Sequence, residues 1–513
     1  MPENNYKSEK EAFVSGMTGS SVTHINLISS VALASIFLLY CAQTRLNSFS
    51  SNSLIIAWFL LVLPLLLSMT LFANWPATLS LLISVPGGLL LLIQRKESGT
   101  PLPSNLKSPT TPNPSIQSFP PQAPRMEPLP SFTTYRAHML IMTCLAILAV
   151  DFPIFPRSLV KCETYGVSLM DIGVGSFVFS GGIASAIPLI KTPSHLAAPL
   201  LPKVLRAIRK SLPIILLGAV RVLLVKGTEY PEHVSEYGVH WNFFITLALV
   251  PIMEVLLHPV MIYVSVTAVG IVVAIVQQLL LSKFGLSEYV LDAPRVNLIS
   301  ANKEGIVSLL GYFAIHLLGL TTGLLLLPPS PSYFRRIQRS LRTHTLNERE
   351  LSERYAVRKN DKTASELSGY SILWWALMGI CSLFKLDGGH GVSRRMSHRF
   401  NISYVFWICA YNVSFILGYL ALDMIFFSPP SSSSRRKTEQ RPVSSLPQAP
   451  TAIPPPLLAA INKNGLVVFL FGLINLTIPT MYTSDFWAMV ILCGYSFAIC
   501  VAAWFLKGIR LRL

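Results

Sequence analysis

The chain has 513 residues, of which 52% are hydrophobic and only 13% charged. An average soluble domain carries about 25% charged residues, so the composition excludes an ordinary soluble protein and indicates an all-α, polytopic integral membrane protein. The formal net charge of +17 would suit nucleic acid, but the cations are shared out among alternate loops, and no nucleic-acid partner is expected.

In chain order, residues 1–21 are polar and lack the basic, apolar and small-residue series of a cleavable signal, so they form an N-terminal segment that the first span carries across the membrane. Apolar runs follow at 22–42, 53–72 and 76–94. Each approaches the roughly 20 residues that cross a bilayer as a helix. Residues 97–131 are dense in Pro and Ser. Such sequence cannot bury enough apolar surface to offset its ordering entropy, which predicts a disordered cytosolic insert. Further runs lie at 134–151, 166–190, 211–227, 239–258, 259–282, 305–328, 370–384, 402–427, 464–482 and 485–506, about thirteen spans in all. The run at 370–384 is short, and the pair 239–258 and 259–282 divides at His258-Pro259. Within 329–369, Phe334, Ile337 and Leu341 recur at helical spacing and fit an amphipathic helix beside the membrane surface, or equally a solvated charged loop. Residues 428–456 are a second Pro/Ser insert, and 507–513 a short basic tail. Residues 22–506 therefore read as one transmembrane bundle with no separate soluble domain.

Thirteen spans place the termini on opposite sides, and the two sets of alternate loops then carry 12 and 27 Lys and Arg. Basic residues are enriched on the cytosolic side. This puts the C-terminus in the cytosol and the N-terminus on the lumenal side, together with the loops 151–165, 228–242, 288–305 and 388–401. Those four short loops are dense in polar residues. Their convergence on one face is what a membrane enzyme needs, whereas a transporter gathers its polar groups near the bilayer midplane.

Seven cysteines have no C-x-x-C spacing and lie mostly inside spans, so no metal site or disulfide framework is expected. No phosphate-binding glycine loop, H-E-x-x-H or G-x-S-x-G is present. Gly173-Val-Gly175 and Gly181-Gly182 follow no strand and read as small residues that let helices approach.

The stretch Asp151-Phe-Pro-Ile-Phe-Pro-Arg157-Ser-Leu-Val-Lys161 sets a carboxylate and two cations in a loop stiffened by Pro153 and Pro156. Acyl transfer to a hydroxyl needs a base for its proton and a cation or N–H for the developing oxyanion. Asp151 and Lys161 supply both types; an interfacial salt bridge uses the same two residues. An aspartate in water titrates near about 3.9 and is a weak base, a limit that burial eases and a nearby lysine restores. His233 and His240 are rival bases. Asp171 and Arg221 each fall about two turns inside a span and are expected to pair, either as helix packing or as a substrate contact. Glu254 lies deeper, towards the cytosolic side.

The motifs Lys10-Glu-Ala-Phe-Val, Thr18-Gly-Ser-Ser, Asp151-Phe-Pro-Ile-Phe-Pro-Arg, Gly166-Val-Ser-Leu-Met-Asp171-Ile-Gly-Val-Gly-Ser-Phe-Val, Glu232-His-Val-Ser-Glu-Tyr-Gly-Val-His-Trp-Asn-Phe-Phe and Asn302-Lys-Glu-Gly-Ile resemble the inositol acyltransferase family of glycosylphosphatidylinositol (GPI) anchor synthesis, called GPI-anchored wall transfer protein in fungi. The resemblance covers nearly the whole chain outside the Pro/Ser inserts. It implies a multi-pass O-acyltransferase of the endoplasmic-reticulum membrane that moves a palmitoyl-type group from acyl-CoA to the inositol ring of glucosaminyl-phosphatidylinositol. Asp151 and Lys161 match the positions of the family's proposed acid/base and lysine. Arg157, Asp171, Arg221, His233, His240, Asn302, Lys303 and Glu304 are then the expected substrate contacts, and Arg206, Arg209 and Lys210, in a cytosolic loop, the expected partners of the CoA phosphates. Acyl-CoA is a co-substrate, and no bound cofactor or metal is expected. The sequence departs from the family at His24, where an acidic residue is expected, so His24 receives no role. The alternative from composition and intramembrane charge alone is a lipid or anion transporter using Asp171, Arg221 and Glu254.

Overall fold

The computed structural model describes residues 9, 12–13, 17–46, 53–95, 129–162, 166–226, 237–343, 353, 358–386, 401–427, 452–472 and 482–508. His233, most of the polar loops 228–242 and 388–401, and most of both Pro/Ser inserts lie outside these residues. Among the described residues the structure is helical, and the one strand-like contact is an isolated bridge between Ser20 and Val167.

The first span is α1 (Val22–Arg45), capped by the Ser21 side chain on the His24 N–H. The second is broken into α2 (Leu54–Leu61) and α3 (Leu63–Ser68). Pro64 causes the break, because its ring removes a donor and clashes with the preceding turn. Then come α4 (Pro76–Leu90), α5 (Pro130–Ala149) and α6 (Leu169–Lys191). Helix α5 begins inside the predicted 97–131 insert, because Pro130 is preorganised for a first helical turn.

Helix α7 (Leu200–Lys226) is eleven residues longer at its start than the predicted 211–227 span, so Arg206, Arg209 and Lys210 sit on a helix and not in a loop. Next are α8 (Phe243–Leu256), α9 (His258–Tyr263) and α10 (Val266–Lys283), with a turn before His258-Pro259 and a second, extended break at Val264-Ser265 that divides the predicted 259–282 span. Short helices α11 (Leu286–Asp292) and α12 (Leu298–Ala301) lead into α13 (Lys303–Leu326). The amphipathic segment forms α14 (Tyr333–Arg342), with Phe334 and Ile337 buried. Helix α15 (Asn360–Leu383) extends the short predicted span by ten residues at its start. It is followed by α16 (Ile402–Phe427), α17 (Pro456–Lys463), α18 (Gly465–Gly472) and α19 (Asp485–Phe505). Residue 456, assigned to the second insert, opens α17.

Seven described helices are long and apolar enough to cross a membrane: α1, α5, α6, α10, α13, α16 and α19, the last counted to Gly508. Lipid is as apolar as leucine, so these helices associate through close packing and not through the hydrophobic effect. The closest seam joins α6 to α13. A Cβ on Gly182 would stand 2.1 Å from the His316 carbonyl oxygen, and one on Gly319 would stand 2.2 Å from that of Phe179. Contacts 179 to 319 and 183 to 323 advance together, so the two helices run parallel. Helix α13 is buried on nearly every side and is correspondingly apolar all round.

This seam sets the functional geometry. The starts of α1, α6, α8, α13 and α16 share one end of the bundle with the finish of α5, as shown by Ser20 on Val167, Gly305 on Trp241 and Tyr404 on Asp171. We call this the Asp151 end. The opposite end holds Arg95 on the Phe426 carbonyl, Arg358 on the Leu326 and Leu327 carbonyls, and the arginines of α14.

Candidate functional site

The Asp151 loop is folded by its own hydrophobic residues. Phe152, Phe155 and Leu159 are fully buried, and the prolines between them turn the chain. Asp151 follows directly on α5 and is 8% exposed. Arg157 then clamps the loop from inside: its Nη2 donates to the carbonyls of Val150, Phe152 and Phe155 at 3.1, 2.9 and 2.8 Å, and Nε and Nη1 add Phe155 and Val150. The guanidinium also lies over the Phe13 ring at 4.1 Å. Burial pushes Arg157 down to about 10, and the charge of Asp151 opposes that shift. Arg157, expected as a substrate contact, is thus committed to the main chain. It holds Asp151 in place.

Lys161 ends the loop with Nζ 5.6 Å from the centre of the Tyr237 ring. The next residue, Cys162, donates its N–H to Asp171 Oδ2 at 3.4 Å. Asp171 does not lie two turns inside a span. Helix α6 starts at Leu169, and Ser168 with Asp171 forms a capping box, with Ser168 N and Oγ donating to Oδ2 at 3.0 and 2.8 Å. The sequence signal was present as Ser168-Leu-Met-Asp171, a serine followed three residues later by an acid. Among the described residues no ion pair joins Asp171 to Arg221, which is half-buried on α7. The expected Asp171–Arg221 pair is therefore corrected: the carboxylate is taken up by helix capping. Tyr404 on α16 donates to the Asp171 carbonyl at 2.8 Å.

Two glycines admit the neighbouring chain. Gly19 has φ +77°, and a Cβ there would meet Cys162 Sγ at 2.1 Å, so the Thr18-Gly-Ser-Ser motif lies directly on the Asp151 loop. Gly238 has φ +107° and sits against the Asn302 backbone, where a Cβ would be 2.6 Å from Cα. Both conformations are open to glycine at little steric cost.

The 237–242 and 297–304 segments are tied together. Asn302 Oδ1 accepts from the His240 N–H at 2.8 Å, and the Val239 N–H donates to the Ala301 carbonyl at 3.0 Å. The His240 side chain is exposed. The next two residues of the motif are buried and satisfied within the protein. Lys303 Nζ donates to the Ala293 carbonyl at 2.5 Å, and Glu304 takes a two-pronged contact from Arg295 at 3.0 and 2.5 Å. Asn302, Lys303 and Glu304 accordingly brace the loop. Together the segments 17–21, 151–162, 166–171, 237–242 and 297–304 make one connected polar surface at the Asp151 end.

At the opposite end of α6, the turn Pro193–Leu196 meets the start of α7. Lys203 is buried and donates to the His195 and Leu196 carbonyls at 3.2 and 3.1 Å. Lys203, Arg206 and Lys210 recur at i, i+3 and i+7, which is one face of a helix. Arg209 is offset from Lys210 by about 100°. Burial, and then His258, Lys203, Arg206 and Lys210, lower His195 below the ordinary imidazole range. The corner is therefore strongly cationic, which disfavours a charge on its imidazole.

A family model described as GWT1 matches residues 6–506. The chain belongs to the GWT1 family. It is similar to a Cryptococcus neoformans var. grubii protein named GPI-anchored wall transfer protein 1, with 42% identity over 409 residues, covering 75% of this chain and 63% of the relative. Proteins of the same name from Gibberella zeae and Saccharomyces cerevisiae are each 36% identical and cover 97% and 98% of both chains. Several contacts at this GWT1-family site were not read from sequence. The Arg295–Glu304 brace joins residues nine apart across the short helix α12, and the Arg157 clamp acts on carbonyls, which carry no sequence signal.

Proposed function

We propose that this chain is an acyl-CoA-dependent O-acyltransferase of GPI-anchor biosynthesis in the endoplasmic-reticulum membrane, which acylates the inositol ring of glucosaminyl-phosphatidylinositol with a palmitoyl-type group. One observation carries the reading: the Asp151–Lys161 loop and four further polar segments converge at one end of the bundle, in a family whose members are named GPI-anchored wall transfer protein 1. The excess of basic residues at the other end supports a lumenal Asp151 end and a cytosolic C-terminus.

In this reading the Asp151 carboxylate accepts the inositol hydroxyl proton as the oxygen attacks the thioester carbonyl. Lys161 stabilises the tetrahedral oxyanion. Collapse breaks the carbon–sulfur bond, and the CoA thiolate recovers the proton from Asp151. A base held in place contributes about 10²–10⁴-fold. Arg157 keeps that carboxylate fixed at the end of α5. The exposed His240 and the half-buried Arg221 are available to the acceptor, and His233 is assigned to it from the sequence motif alone. The CoA phosphates are taken by Arg206 and Lys210 beside Lys203 and His195, with Arg209 at the flank. Acyl-CoA serves as co-substrate.

A transporter reading needs Asp171, Arg221 and Glu254 along one path, and the capping role of Asp171 weakens it. The experiment is acyl transfer by the purified protein from labelled palmitoyl-CoA to glucosaminyl-phosphatidylinositol. Labelled inositol-acylated product is expected; movement of lipid across vesicles without product would favour transport.

A further inference from the structure

A second cluster of ionisable groups lies inside the bundle between the two ends. Glu254 on α8, His258 at the start of α9 and His316 on α13 are 4%, 2% and 2% exposed. His316 Nε2 bonds Glu254 Oε2 at 2.6 Å. His258 Nε2 stands 3.5 Å from Glu254 Oε1, beyond a well-formed hydrogen bond. Both ring nitrogens of His258 are buried without a well-formed hydrogen bond; Nε2 faces the Glu254 carboxylate and Nδ1 faces no polar partner. Its ring lies edge-on to His195, with centroids 5.9 Å apart, and so adjoins the cationic corner of α7.

The depth of the cluster follows from the parallel helices. Glu254 is twelve residues beyond Asn242, His316 is thirteen beyond Lys303, and Gly182, whose neighbour on α13 is His316, is eleven beyond Asp171. At about 1.5 Å per residue these intervals are roughly 16–20 Å from the Asp151 end. Charged and imidazole groups in an apolar interior are expensive and mark ligand paths. A buried donor or acceptor left unpaired is a further cost that a ligand can remove. With Nε2 of His258 facing the Glu254 carboxylate, Nδ1 is the ring nitrogen open to a ligand, and as an acceptor it matches the N–H of an amide.

The inference rests on the acyl-CoA reading above, in which the phosphates occupy the cationic corner and the thioester the Asp151 end. Between them the donor carries the pantetheine arm, with its two amides. We propose that His258, held beside the Glu254–His316 pair, is the hydrogen-bonding subsite for an amide of that arm. Glu254 and His316 are positioning residues; they fix the ring and satisfy one another.

The test uses the full chain and three donors that share the same acyl group: palmitoyl-CoA, palmitoyl-pantetheine and S-ethyl thiopalmitate, which has no amide. His258→Phe keeps a ring and removes both nitrogens. It should raise KM about tenfold for both amide-bearing donors, since roughly 1.4 kcal/mol is a factor of ten, and leave S-ethyl thiopalmitate unchanged. His258→Gln, which restores a donor and an acceptor, should recover part of the loss. An equal loss with all three donors would show a structural role and overturn the proposal, as would unchanged KM for palmitoyl-CoA. If His258→Phe does not fold, the same comparison is made on His258→Gln against wild type, and identical loss with all three donors again overturns it. A wild-type protein that uses none of the thioesters would instead refute the acyl-transfer reading itself.

Discussion

Replacing Gly182 with alanine probes the seam that aligns the Asp151 end with the interior. The added Cβ would lie 2.1 Å from the His316 carbonyl oxygen and 2.8 Å from the Leu320 nitrogen, both backbone atoms that cannot turn aside. Restoring ordinary contact requires α6 and α13 to part by about 1 Å, and over-packing of this kind costs roughly 1–3 kcal/mol. Gly319→Ala meets the Phe179 carbonyl at 2.2 Å and should cost as much alone. The double variant should cost less than the sum, because one separation accommodates both methyl groups. Gly379 and Gly494 are internal controls. A Cβ there meets nothing within 4 Å, and alanine in a helix interior is favoured by about 0.5–1 kcal/mol. Six cysteines, at 41, 144, 162, 381, 409 and 500, are buried, so a thiol-reactive dye reports thermal unfolding in detergent. With about 2.1 cal/mol/K of unfolding entropy per residue, the seam variants should lower Tm by roughly 1–3 °C and the controls should not. A Gly182→Ala protein as stable as Gly379→Ala would refute the close-packed seam.

Three further outcomes follow from contacts described above. Arg157→Lys cannot span three carbonyls and should lose about 1.5–3 kcal/mol of loop stabilisation; the checks are faster proteolysis at 151–162 and a lower kcat. Glu304→Gln and Arg295→Met should each destabilise, and a double-mutant cycle by the same dye assay should return a coupling of about 1 kcal/mol or more, since Arg295 is partly solvated. Additive effects would mean that the two do not brace each other. Tyr40 donates to the buried Asp423 at 2.8 Å across α1 and α16. Tyr40→Phe should cost about 0.6–2 kcal/mol, the span seen for hydrogen bonds between transmembrane helices, measured as a Tm shift with activity per folded molecule unchanged.

Seven of the expected spans were readable because apolar runs near 20 residues have few alternatives, and α14 because Phe334 and Ile337 recur at helical spacing. Helix ends were less so. Charge at Arg206, Arg209 and Lys210 suggested a loop, yet α7 carries these residues exposed beside apolar neighbours that face outward, such as Leu205 and Leu212. At the site, residue types were legible and their partners were not. Asp171 was placed too deep because hydropathy does not mark a helix start, whereas the Ser168 capping box does. The Glu254–His316 contact joins residues 62 apart on different helices, which no local pattern reveals. Lys303 and Glu304 looked available until Ala293 and Arg295 were seen to occupy them.

Asp151 bears the central claim, since the loop, the clamp and the chemistry meet at its carboxylate. The direct measurement is the rate of labelled acyl transfer from palmitoyl-CoA to glucosaminyl-phosphatidylinositol by purified Asp151→Asn protein whose Tm matches wild type. Loss of the general base predicts a fall of about 10²-fold or more. A folded Asp151→Asn protein with wild-type rate would contradict the account.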